Sequence, residues 1–71
     1  MARYKVSFRV EGKTYLAEGE STYPSDDAIN KNDIDMGIAL ENAWIFASHQ
    51  KESLHLDGKI EPNSVNFEIY K

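Results

Sequence analysis

The chain has no cysteine, two prolines, four glycines and a single tryptophan. Each scarcity excludes something. Without cysteine there is no disulfide framework, no thiolate metal site and no thiol nucleophile. A secreted protein of 71 residues ordinarily relies on such staples, so the composition predicts a cytoplasmic one. No apolar run approaches the roughly 20 residues that span a bilayer, and no membrane association is expected. Met1-Ala2-Arg3-Tyr4-Lys5 alternates from the start, which is not the opening of a signal peptide. Positive charge is in deficit. Eight Lys and Arg stand against twelve Asp and Glu, for a net charge of -4 at pH 7, so the basic footprint that duplex nucleic acid requires is missing. The glycines at 12, 19, 37 and 58 are scattered and build no phosphate-cradling loop.

No repeat, linker or low-complexity tract divides residues 1–71, and one small domain is expected. A domain of this size buries only about 60% of its unfolded surface. Its core must come from Val, Ile, Leu, Phe, Tyr and Trp, or from a partner chain.

What is present is patterned. Tyr4, Val6, Phe8 and Val10 alternate with Arg3, Lys5, Ser7 and Arg9, the period of a half-buried strand. Glu11-Gly12 supplies a tight turn, and Lys13 to Glu20 returns as a second strand. A two-residue loop sets Phe8 opposite Tyr15, Val6 opposite Ala17, Lys5 opposite Glu18 and Arg3 opposite Glu20. Slipping by one residue would turn Leu16 inward and separate the charges. Ser21 to Lys31 reads as a polar loop with one helical turn opened by Ser25 and favoured by Asp26 and Asp27. The spacing predicts the main helix from about Asn32 to Lys51, capped by Asn32 or Asp33. Val65, Phe67 and Ile69 then alternate as a last strand. The expected fold is a two-layer α+β domain of order β-β-α-β. Its three-stranded antiparallel sheet has order 2-1-3, with the helix on one face.

The helix carries apolar residues on two sides. At about 100° per residue, Met36, Ala39, Leu40, Ala43, Trp44, Phe46 and Ala47 form one broad stripe, expected to face the sheet. The alanines suggest a close approach, and Gly37 suggests that another backbone comes near. Ile34, Ile38 and Ile45 form a second strip on the far side, rimmed by Glu41, Asn42, Ser48, His49 and Glu52. An apolar strip with a polar rim has the anatomy of a contact surface. Either the loop bearing Tyr23 and Ile29 covers it, or a partner does, whether another protein or a second copy through the helix. The leading expectation is a non-catalytic protein-binding or regulatory module, with Ile34, Ile38, Glu41, Asn42, Ile45 and His49 as its contact residues.

Two alternatives rest on other residues. Asp26, Asp27, Asp33 and Asp35 gather along the loop and the expected start of the helix. Such a patch can occupy the basic groove of a nucleic-acid enzyme, as small acidic inhibitors from mobile elements do. The open sheet face offers Arg3, Lys5, Arg9 and Tyr70 to single-stranded RNA, but Glu18, Glu20 and Glu68 lie beside them, which favours a lattice of ion pairs. No catalytic, cofactor or metal constellation is found. The span Asn30 to Glu41 has the length of a calcium loop, yet Ile34 falls at a ligand position and Asp35 where glycine is needed. His49 and His55 have no partners at metal-ligand spacing.

Overall fold

The computed structural model describes residues 1–71. β1 (Ala2–Val10) and β2 (Lys13–Ser21) form a hairpin whose register pairs Phe8 with Tyr15, Val6 with Ala17, Lys5 with Glu18 and Arg3 with Glu20. Glu11 and Gly12 both take left-handed φ, 50° and 79°, the two-residue turn whose twist matches a right-handed strand pair. After α1 (Asp26–Lys31) and α2 (Met36–Ser53), β3 (Asn66–Tyr70) pairs antiparallel with β1. The sheet order is β2-β1-β3, with α2 against one face. This is the expected two-layer α+β architecture.

The main helix begins later than expected. Asn32 does not open it. Instead Asn32 ends α1 in a left-handed conformation (φ 55°), its backbone N–H donating to the Ala28 and Ile29 carbonyls. Asn is one of the few residues that tolerates this cap position. Ser25 opens α1 as expected, its hydroxyl accepting the Ala28 N–H at 3.1 Å. Asp35 then caps α2, its Oδ1 accepting from the Gly37 and Ile38 N–H groups at 2.9 and 3.3 Å. A polar run with several cap-forming residues can be cut at more than one point, and here it is cut twice. The far end also shifts. α2 continues through Ser53, and His55 leaves the helix with φ 54°.

α2 docks through its smallest residues. Ala39, Ala43 and Ala47 are fully buried, with Tyr4, Val6 and Phe8 of β1 in the same core of nine buried apolar residues. Phe46 packs over Gly19 of β2, where a Cβ would run into its ring. Its ring meets that of Tyr4 at 5.3 Å. Met36 and Leu40, expected in the core stripe, are 60% and 39% exposed. With alanines on the line of contact the helix lies low, and bulky residues well off that line are left on its flank. Gly37 admits no neighbouring chain. A Cβ there would meet only its own cap, Asp35 Oδ1 at 3.2 Å.

The segment between α2 and β3 clasps the hairpin. Ile60 bridges Val10, and the Glu61 N–H donates to the Arg9 carbonyl. The Glu61 carboxylate accepts the Gly12 N–H at 2.9 Å, and Arg9 Nε lies 3.9 Å from it. From this bridge to the Ser7–Asn66 pair, β1 advances three residues and the returning chain six. The surplus bulges out around Pro62, which cannot donate to a ladder. Ser64 fills the gap by accepting the Arg9 N–H and donating to the Glu61 carbonyl.

Candidate protein-contact surface

The expected strip is built from two isoleucines rather than three. Ile38 and Ile45 project from the outer side of α2, 43% and 49% exposed. Seven residues apart, they fall within about 20° of one another and about 10 Å along the axis. Ile34 precedes the Asp35 cap and so lies off the helix. It is half-buried and packs against the core, as does Ile29. The chain before α2 is pulled inward. The Tyr23 hydroxyl accepts the Asp35 N–H, and Pro24 is buried. This loop therefore takes Ile34 out of the strip and leaves Ile38 and Ile45 uncovered.

Among the rim residues, Asn42 turns inward. Its Nδ2 donates to the Tyr4 hydroxyl at 3.1 Å and to Ser21 Oγ at 3.3 Å, while the Tyr4 hydroxyl donates to the Tyr23 carbonyl at 2.8 Å. This network ties α2 to β1, β2 and the following loop. Glu41 and His49 are exposed beside the isoleucines, as expected. Asn42 and Phe46 meet β2 and β1, and Ile38 and Ile45 lie about 40–60° further round from Asn42. They therefore face away from the sheet, inclined to the side of the helix that Asn42 occupies.

The four aspartates are spread among separate tasks. Asp26 lies 3.7 Å from the N-terminal ammonium, Asp27 pairs with Lys31 at 3.1 Å, and Asp35 caps α2. Asp33 is exposed and makes no side-chain bond of this kind. On the open sheet face the register sets Lys5 between Glu18 and Glu68. The expected ion-pair lattice does not form. Lys5 Nζ sits 5.6 Å over the Tyr70 ring instead, and the ion pairs lie elsewhere. Exposed ion pairs contribute little, so an aromatic face is sufficient competition. A shallow depression of about 440 Å³ on this face is lined by Lys5, Ser7, Leu16, Glu18, Asn66 and Glu68. His49 and His55 are both exposed, and no cluster of three or more His, Asp or Glu side chains is placed to hold a metal. No helix is long and apolar enough to cross a membrane.

Leu16, which the expected register already turned outward, was not among the expected contact residues. Leu16, 70% exposed, is the most exposed large apolar side chain, ahead of the terminal methionine at 63%. The signal was visible: Thr14, Glu18 and Glu20 are polar on the same face of β2, and Leu16 is not. Comparison of the chain with protein-family models, with curated proteins and with solved structures finds no match.

Proposed function

We propose that the protein is a non-catalytic protein-binding module that engages its partner through the outer flank of α2. The observation that carries the reading is the pair Ile38 and Ile45. Both remain close to half exposed although the neighbouring loop folds inward beside them. Exposed apolar side chains with a polar rim are what a partner's apolar anchor would meet. Glu41 and His49 would orient that partner. The acidic-inhibitor reading draws less support, because Asp26, Asp27 and Asp35 already have partners within the chain. The single-stranded RNA reading draws less as well, since Lys5 is engaged by the one aromatic side chain on the open face.

The test is capture of a partner by the native protein, repeated with Ile38→Asp and Ile45→Asp. Each side chain is only about half buried, so the unfolding free energy should fall by about 1–1.5 kcal/mol and the fold should survive. Capture should be lost in both variants and should survive added salt, since an apolar contact is not screened. Unchanged capture would refute the reading. So would variants that unfold, because the isoleucines would then be serving the fold.

A further inference from the structure

The free edge of β2 carries an inference that goes beyond the helix surface and rests on different atoms. β2 is nine residues long, pairs on one side only, and keeps a regular register with β1 from end to end. Arg9 turns its N–H and carbonyl away from β2, toward Ser64 and Glu61. By the alternation of an antiparallel pair, Thr14 opposite Arg9 turns its own groups outward, and Leu16, Glu18 and Glu20 follow. Proteins blunt such an edge with proline, a bulge, a central lysine or a short strand. β3 has five residues with a proline-bearing bulge before it. β2 is not short and has no proline, bulge or central lysine; its edge charges are Glu18 and Glu20 toward one end, with its one lysine at its first position. Beside the bare edge stands Leu16, 70% exposed.

We propose that this edge pairs antiparallel with β2 of a second copy, with Leu16 opposite Leu16 on the two-fold axis, giving one continuous six-stranded sheet. The register is chosen by the Leu16 pair, because centring on Tyr15 or Ala17 would also keep carboxylates apart but would set Leu16 opposite Thr14 or Glu18. It keeps like faces together, sets Thr14 opposite the second copy's Glu18 and Tyr15 opposite its Ala17, and places no carboxylate against a carboxylate. Centring on Glu18 would oppose the two Glu18 side chains, and centring on Gly19 would oppose Glu18 to Glu20. The outward groups of Thr14, Leu16 and Glu18 then form about six main-chain hydrogen bonds with their mates. The contact is small, so the dimer is expected to exchange with monomer rather than to be obligate. Ile38 lies one helical turn beyond Asn42, which is level with Ser21, and so falls outside the paired stretch.

Sedimentation equilibrium over a range of concentrations, with amide hydrogen exchange on the same samples, tests the pairing. Exchange at Thr14, Leu16 and Glu18 should slow as concentration rises, while Tyr15 and Ala17, already bonded to β1, should not change. Thr14→Glu creates two carboxylate pairs across the axis and should raise the dissociation constant about 2- to 30-fold. Thr14→Lys should lower it by a similar factor. Within one chain residue 14 faces Arg9, so the Glu variant does not threaten the fold. Ile38→Asp should leave the dimer intact, which separates a failure here from a failure of the helix surface. A chain that stays monomeric at millimolar concentration overturns the proposal. So does a dimer indifferent to the charge at 14, or one abolished by Ile38→Asp.

Discussion

Gly19→Ala should be among the most damaging single-methyl additions this chain can receive. Taken alone, alanine in a strand interior is favoured over glycine by roughly 0.5–1 kcal/mol, because glycine loses more freedom on folding. Gly19, however, faces Tyr4 across the ladder, and the Phe46 ring occupies the space where its Cβ would stand. The ring must leave. Its contact with Tyr4, at 5.3 Å and 58° between planes, is of a kind that contributes about 0.5–1.5 kcal/mol. Forcing a methyl into packed surroundings adds about 1–3 kcal/mol. Less the strand-propensity gain, the net loss should be about 0.5–4 kcal/mol. At 0.05–0.15 kcal/mol per residue a chain of 71 residues has roughly 4–10 kcal/mol in all, so the fraction lost is large. Urea unfolding followed by the fluorescence of Trp44, the only tryptophan, measures it through the shift in midpoint at constant slope. The decisive measurement is the same substitution in a Phe46→Ala background. With the ring gone the methyl has room, and Gly19→Ala should become neutral or stabilising by up to about 1 kcal/mol. An equal loss in both backgrounds would refute the steric account and leave a backbone requirement at 19 in its place.

Two further substitutions probe the joints around α2. Asp35→Ala removes the acceptor for the Gly37 and Ile38 N–H groups and should lower stability by about 0.5–2 kcal/mol, while Asp33→Ala, at one of the two positions expected from sequence to cap the helix, should do little; unfolding midpoints of the two variants compare them directly. Tyr4→Phe keeps the buried ring but removes the hydroxyl that donates to the Tyr23 carbonyl and accepts from Asn42. The loss should be about 1–3 kcal/mol, and because the two share a bond, adding Asn42→Ala should cost less than the sum of the single effects.

The sheet was legible in the sequence and the helix start was not, for physical reasons. Strand alternation in β1 has period two, and any other register would expose Val6 and Phe8 or separate Lys5 from Glu18, so several independent residues agree on one answer. Between Ser25 and Asp35 many residues can cap a helix, and composition does not say which of them does. The choice is made by tertiary contacts, Tyr23 on the Asp35 N–H and Ile29 and Ile34 on the core, none of which is local in sequence. Asn42 was misplaced for the same reason. Its position on the helix circumference allows either a rim or an inward role, and the hydroxyls of Tyr4 and Ser21 decide. Met36 and Leu40 fell out of the core because period alone measures how wide an apolar stripe is, and the alanines beside it determine how much of that width touches the sheet.

The loss of Ile34 from the outer strip changes what the remaining pair can do. Fully burying one such side chain contributes about 1.5–3 kcal/mol. Ile38 and Ile45 are already about half buried, with 43% and 49% exposed, so covering both adds about 1.5–3 kcal/mol together. A micromolar complex needs about 8 kcal/mol net of the entropy of association. The isoleucines therefore serve as an anchor within a larger contact, and a partner that holds tightly has to reach beyond them. Because the pair is inclined to the Asn42 side of the helix, a partner that reaches past Asn42 and Ser21 meets the edge where Thr14, Leu16, Glu18 and Glu20 present unpaired main-chain groups. A strand laid along that edge could add hydrogen bonds. The proposed dimer would occupy the edge but not the isoleucines, so a partner that uses both should bind less tightly as the concentration of the protein rises, while one confined to the isoleucines should not.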